Sequence, residues 1–251
     1  MVDNCNARDE VLGAAQLRRI GDFDPNDIFI VGYPKSGNTW MQYLLAGLVF
    51  GTNSRIVPDS LVQDLVPDVH YNRFYTRHLT PTFFKTHDLP RPEYRKVIYL
   101  VRDGRDVMVS YFHHLTALEG PQDYMKLVIG DGLFPCRWHE HVEAWLANPH
   151  GVEIITISYE NLRRKTVSGL QRICDFAGLK RERSLLKYVA RNSTFERMRE
   201  HERKMGWVNA WPKDKPFIRR GKVGSYKDEM PAEVLAAFQG LSMTTLKRLG
   251  Y

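Results

Sequence analysis

Four short apolar runs punctuate the chain, at residues 28–31, 82–87, 96–101 and 152–158. Their length and β-branched content predict strands. The stretches between them carry helical patterns. Residues 41–50 are too long and too leucine-rich for another strand, and residues 135–148 set Trp138, Val142, Trp145 and Leu146 at helical spacing. Residues 102–114 lead from a strand end into a helix that either Asp103 or Asp106 can cap. After the junction at 159–162 a long helix is expected, ending near Gly178. Further helices follow at 185–189, 195–204 and 233–249, with Asn192, Ser193 and Thr194 as a capping run between the first two. Strands alternating with helices predict an α/β fold, a single domain with a central, mostly parallel sheet flanked by helices on both faces. Residues 11–20 are amphipathic. Two stretches lack a period. Residues 51–80 read as a lid, a binding wall or a surface excursion, and residues 206–216, with Trp207, Trp211 and two prolines, as a mobile loop.

Composition adds limits. A chain of 251 residues suits one domain over 1–251, with residues 1–26 as an N-terminal extension. Its three cysteines are scattered and odd in number, which argues against a disulfide framework or a zinc site and fits a reducing compartment. No run reaches the length of a membrane span, and the first residues carry neither a basic leader nor an apolar signal core, so a soluble, cytoplasmic protein is expected. The formal charge of +7 suits nucleic acid, an anionic membrane surface or a small anionic ligand and does not choose among them.

Candidate chemistry gathers where strands end. After the strand at 28–31, Gly32 and Gly37 frame a loop that enters a helix, a junction where free backbone N–H groups converge and favour an anion. The glycine spacing is that of a Walker A loop, but Asn38 stands where that motif needs lysine; the loop's lysine is Lys35. Lys85 and His87 alternate at the end of the second strand and share a face. Arg102, at the end of the third, offers a planar fork, and Ser110, eight positions on, a compact hydroxyl, so both can meet one phosphate. Residues 217–227 combine four cations with glycines, a composition that can wrap an anion or simply be a solvated loop.

The loop Tyr33-Pro-Lys-Ser-Gly-Asn-Thr-Trp40 resembles the phosphosulfate-binding loop of the cytosolic sulfotransferases, Tyr-Pro-Lys-Ser-Gly-Thr-Thr-Trp, with Asn38 the departure. Lys85-Thr86-His87 is similar to the family's Lys-Thr-His element, with Asp88 inserted before Leu89-Pro90. Arg102 and Ser110 match its 3′-phosphate pair, Tyr159 its adenine tyrosine, Ser193-Thr194-Phe195 with Met198 its adenine closure, and Arg219-Arg220-Gly221 its 3′-phosphate segment, with Ser225-Tyr226 in place of Asp-Trp. The resemblance spans roughly residues 28–227 and implies a P-loop-like sulfotransferase fold using 3′-phosphoadenosine 5′-phosphosulfate (PAPS) and releasing the desulfated product PAP. It implies His87 as catalytic base, Lys35 at the bridging oxygen, Lys85 at the sulfuryl group, and Ser36, Gly37, Asn38 and Thr39 at the 5′-phosphate, with Trp40 against adenine. It also makes residues 206–227 a lid over the donor. No Walker B carboxylate cluster is evident, so this reading requires no metal. The acceptor is expected to be a small molecule, bound at walls over 51–80, 115–134 and 206–216 that include Tyr71, Phe74, Tyr75, Tyr124, Phe134 and Trp207; some of these rings can equally be core. The family's Lys-x-x-x-Thr-Val dimer element is absent, so the oligomeric state stays open. Two alternatives remain: a magnesium-dependent P-loop kinase, against which Asn38 speaks, and a nucleotide- or nucleic-acid-binding protein without catalysis, which leaves Lys85 and His87 without a task.

Overall fold

The computed structural model describes residues 16–251 except 131, 208–210 and 213. Much of the amphipathic piece at 11–20 therefore lies outside the described residues; its end forms a three-residue strand, β1 (Leu17–Arg19). The chain then passes Asp27, a buried carboxylate that accepts the Arg77 guanidinium at 2.8 and 2.7 Å and the Thr82 amide at 2.8 Å. It enters β2 (Ile28–Gly32), the loop at 33–37, and α1 (Asn38–Phe50). The stretch at 51–80 is less irregular than its composition predicts. It contains α2 (Asp59–Leu65) and β3 (Phe74–Thr76), which pairs antiparallel with β1. Both strands are three residues long, too short to show a period.

Next come β4 (Phe83–Thr86), β5 (Lys96–Val101), α3 (Gly104–Glu119), α4 (Tyr124–Ile129), α5 (Trp138–Ala147) and β6 (Glu153–Ser158). The long helix expected after residues 159–162 is two helices, α6 (Tyr159–Arg164) and α7 (Thr166–Ala177), because Lys165 takes a non-helical backbone at φ −133°. Leu162 and Leu170 both belong to the core behind β2. The chain ends with α8 (Arg183–Asn192), α9 (Phe195–Met205), the single turn α10 (Tyr226–Glu229) and α11 (Ala232–Leu249). Thr194 caps α9, its side chain accepting from the Arg197 amide, and Asp103 caps α3. Among the described residues no helix is long and apolar enough to cross a membrane.

The main sheet is parallel throughout, in the order β4-β2-β5-β6. Alternation divides each strand between two cores. On β2, Ile28 and Ile30 face the core built with α1, α7 and α8, while Phe29 and Val31 face Phe84, Tyr94, Tyr99 and Trp145. A third core joins α3, α5 and α11 around Trp138 and Phe238. Burial on both faces is what a parallel sheet requires, and it leaves only the strand ends for chemistry. From β2 the chain goes to β4 on one side and then crosses to β5 on the other. The crevice beyond the C-terminal ends of β2 and β5 is therefore a topological switch point, where open α/β sheets bind ligands.

Candidate active site

All four sheet strands release their chemistry-bearing residues at that edge. The loop at 33–37 follows β2, His87 follows β4, Arg102 follows β5 and Tyr159 follows β6. They line one cavity of about 550 Å³, and every predicted site residue except Ser36 lies on its wall. Ser36 is buried inside the loop, and its Oγ has no hydrogen-bond partner among the described residues.

The loop's shape follows from its backbone. Lys35 has φ +71° and Gly37 φ +100°, both left-handed. A Cβ on Gly37 would lie 2.8 Å from the Tyr159 ring, so only glycine allows that ring to seat against the loop. Gly37 is also the N-cap of α1 and offers no side-chain acceptor, which leaves first-turn N–H groups free to meet an anion. The Asn38 side chain turns back into the loop, donating to the Tyr33 carbonyl at 3.0 Å. Arg102 props the loop from β5: its Nη1 donates to the Lys35 carbonyl at 2.9 Å, its guanidinium sits 4.5 Å over Tyr159, and its buried Nε is unpartnered. Trp40 meets Tyr159 edge-on at 5.8 Å and donates to the Ser193 carbonyl at 2.6 Å. Ser193 Oγ, predicted at the cofactor, instead bonds Ser54 Oγ at 2.7 Å in the interior; its part is to hold Trp40. Thr194, Phe195 and Met198 remain on the wall beside Tyr159.

At the end of β4, His87 Nδ1 lies 2.6 Å from the Gly32 carbonyl. A carbonyl only accepts, so Nδ1 carries the proton and Nε2 keeps a lone pair. Burial first, then the nearby Lys85, His70 and His141, hold the imidazole well below its ordinary pKa, against the opposing Gly32 bond. His87 is thus neutral at pH 7, with one basic nitrogen to spare. The inserted Asp88 fixes the following turn: its amide bonds Thr86 Oγ1 at 3.1 Å, its carboxylate accepts from Tyr94, and its carbonyl accepts from Trp145 at 3.0 Å. Lys85 lines the same cavity but is not free, because Asp68, fully buried, holds its ammonium at 2.5 Å. Lys35 has no carboxylate partner among the described residues. Burial, Lys85 and Arg102 lower its pKa to about 7.

The segment at 217–227 departs from the sequence expectation in one respect. Arg219 and Arg220 reach the cavity, but both are paired with Glu229, Arg219 at 2.5 and 3.1 Å and Arg220 at 2.9 Å, and His113 shares that carboxylate at 3.0 Å. Ser225 and Tyr226 anchor the segment: buried Asp106 accepts from Gly224 N at 2.7 Å, Tyr226 N at 3.0 Å and Ser225 Oγ at 3.2 Å. Three donors satisfy that buried charge, and they tie the segment to the helix bearing Ser110. Gly221 has φ +56°, and a Cβ there would come within 2.3 Å of Phe195.

Of the predicted aromatic walls, Tyr71, Phe134 and Trp207 line the cavity. Tyr75 is core against Phe84, Tyr124 stacks on Phe112 at 4.1 Å, and Phe74 is exposed on β3. Sequence reasoning missed Asp68, His70, His114 and Glu229 and gave Asp106 only a capping role. His70 Nε2 accepts from the His87 amide at 3.1 Å, and its ring lies parallel to His87 at 5.8 Å. Of these, His114 carried a readable signal, four residues after Ser110 and so on the same helical face.

The buried imidazoles make a stability prediction. His87 is held well below 6.5, His114 is lowered to about 3 and His141 to about 4, each chiefly by burial. Their depressed folded-state values contribute stability that is present above pH 6.5 and lost as pH falls below it, because the unfolded chain takes up protons first. Urea midpoints measured from pH 8 to pH 5 should fall below pH 6.5, by about 1.4 kcal/mol per pH unit for a fully buried imidazole such as His141. A flat profile would show these histidines to be solvated.

Comparison with known proteins places the chain in a family. The family model described as Sulfotransferase domain matches residues 25–250. The chain is 23% identical to the amine sulfotransferase of Oryctolagus cuniculus, covering 97% of this chain and 89% of that protein. It is 29% identical to the 3-beta-hydroxysteroid sulfotransferase of Cavia porcellus, covering 80% and 77%. Among solved structures it resembles retinol dehydratase in complex with androsterone and the inactive cofactor PAP, with a TM-score of 0.69, 22% identity, and 90% and 82% coverage. A mouse sulfotransferase complexed with PAP gives a TM-score of 0.65 at 21% identity, covering 91% and 88%. At such identities the structural likeness shows the fold.

Proposed function

The chain belongs to the sulfotransferase-domain family, and from that premise we propose that it transfers a sulfuryl group from PAPS to a hydroxyl or amine of a small organic acceptor, in line, with His87 as general base. The observation that carries the reading is the His87–Gly32 hydrogen bond, which fixes a neutral imidazole with a free nitrogen in the same cavity as the anion-favouring loop and Lys35. When bound, PAPS supplies the activated sulfuryl group and leaves as PAP. The chain's own residues fit such a donor. Ser36 Oγ and Arg102 Nε are buried polar atoms without partners among the described residues, as sites built for an oxyanion are.

Ser36, Gly37, Asn38 and Thr39 would hold the 5′-phosphate, mainly through backbone N–H groups. Arg102, Ser110, Arg219, Arg220 and Gly221 would hold the 3′-phosphate, which competes with Glu229 for the two arginines. Trp40, Tyr159, Thr194, Phe195 and Met198 would flank adenine, with Ser193 steadying Trp40. Of the segment 206–227 read as a lid, residues 208–210 and 213 lie outside the described residues; Trp207 and residues 217–222 line the cavity and would face the donor. His87 takes the acceptor's proton, Lys35 faces the bridging oxygen where leaving-group charge develops, and Lys85 faces the sulfuryl oxygens with its charge partly balanced by Asp68. The acceptor lies against Tyr71, Phe134 and Trp207, which suits a small molecule with an apolar body.

Calorimetry with PAP in the presence of a chelator tests the donor, and transfer of labelled sulfate from PAPS to a panel of small alcohols, phenols and amines tests the reaction. Tight PAP binding and acceptor-dependent transfer without added metal are expected. Binding of ATP only with magnesium, and none of PAP, would overturn the reading in favour of a kinase. Steeply salt-dependent binding of polynucleotides without transfer would favour a nucleic-acid-binding protein.

A further inference from the structure

Lys35, which has no carboxylate partner among the described residues, is held instead by an imidazole. His114 Nδ1 lies 3.1 Å from Lys35 Nζ. His114 projects from α3 one turn after Ser110, and its ring is clamped: Trp211 stacks on it at 5.0 Å with 12° between planes, and Phe217 meets it edge-on at 6.1 Å. The Phe217 ring also lies 4.5 Å beneath Lys35 Nζ. A protonated ε-ammonium only donates, so when Lys35 is charged Nδ1 accepts and His114 is the Nε2–H tautomer.

We propose that His114 is a positioning residue for the reaction: its Nδ1 accepts a hydrogen bond from Lys35, keeps that amine protonated and aims it into the cavity. This rests on the sulfuryl-transfer reading for its role in turnover, and on geometry alone for its effect on Lys35. Two groups oppose the lysine's charge, Lys85 from β4 and Arg102 at the end of β5, and the cavity wall desolvates it. Against these, an acceptor that never becomes a competing cation is what the site needs. His114 meets that condition, because burial and Lys35 itself lower its pKa to about 3. A hydrogen bond to a charged group favours the charged form, so its removal lowers the lysine's pKa.

The test compares His114→Phe, which keeps a stackable ring and loses the acceptor, with His114→Asn, whose amide oxygen takes the place of Nδ1. Carbamylation of Lys35 by cyanate, followed by mass spectrometry from pH 5 to pH 10, reads the lysine directly without turnover. His114→Phe is expected to move the midpoint down by about one pH unit, and His114→Asn to restore it. The basic limb of kcat/KM for PAPS, which reports the free enzyme, should shift by the same amount. Turnover at pH 8 should then fall about tenfold in the phenylalanine variant. An unmoved midpoint in a folded His114→Phe protein overturns the proposal, as does an asparagine variant that shifts as far as phenylalanine. If His114→Phe does not fold, His114→Gln replaces it, since its amide reaches the Nε2 position and should fail where asparagine succeeds. Wild-type protein that transfers no sulfuryl group would defeat the functional reading while the labelling result still decides the Lys35–His114 link.

Discussion

His87→Ala is expected to lower kcat about 10²–10⁴-fold, the usual worth of a positioned general base, while PAP affinity changes little. The argument rests on one nitrogen. Gly32 is the last residue of β2, and its carbonyl accepts a hydrogen bond from Nδ1–H at 2.6 Å, so only Nε2 can accept the acceptor's proton. Burial and the neighbouring cations keep the ring neutral, so the base is in its working form throughout the neutral range; activity should persist below pH 6.5, where an exposed histidine would already be protonated. Alanine also leaves the Gly32 carbonyl without its partner, so His87→Asn is the control. Its amide nitrogen can donate to that carbonyl but cannot act as a base, and the same loss of kcat is expected. Single-turnover rates with saturating PAPS, set beside calorimetric PAP affinities, separate chemistry from binding. Near-normal turnover in folded His87→Ala protein would remove this residue from the mechanism.

The second large effect is expected at Arg102. Arg102→Ala should weaken PAP binding by about 2–5 kcal/mol, the cost of truncating one side of a buried, hydrogen-bonded charge pair. Arg102 is 7% exposed, so a phosphate meeting it is desolvated on that side. The variant loses structure as well as charge. Nη1 supports the Lys35 carbonyl at 2.9 Å, and the guanidinium lies 4.5 Å over the Tyr159 ring that packs against Gly37. Arg102→Lys separates these contributions: it retains the charge but not the planar fork, so affinity should fall between wild type and alanine. PAP affinity unchanged in Arg102→Ala would refute the 3′-phosphate assignment.

The site was legible where chemistry sits next to strong local pattern. The loop at 33–40, Lys85 with His87, and Arg102 with Ser110 each follow a short β-branched run, so their place at a strand end could be inferred from neighbours in sequence. The capping role of Asp103 was one of two readings, and the structure selects it: Asp106 points away from the helix start, to Gly224, Ser225 and Tyr226 more than a hundred residues later. The strands β1 and β3 were illegible because three residues carry no period and their pairing joins distant segments. The helix expected after residues 159–162 was read as continuous because nothing local marks Lys165 as a break; in the structure its backbone leaves the helical region at φ −133°.

What the sequence by itself determined is the α/β alternation, the strand-loop-helix junction at 28–40, and the histidine and cations proposed here for sulfuryl transfer. These depend on residue type and near-neighbour spacing, which the chain displays directly. The tertiary structure decided how those cations are held. Lys85 is balanced by Asp68, Arg219 and Arg220 are gathered by Glu229, and Lys35 is left to His114. Each pairing joins residues separated along the chain and brought together by the parallel sheet and its crossovers. Coulombic and hydrogen-bond energies depend on distance in space, and a linear sequence records only distance along the chain.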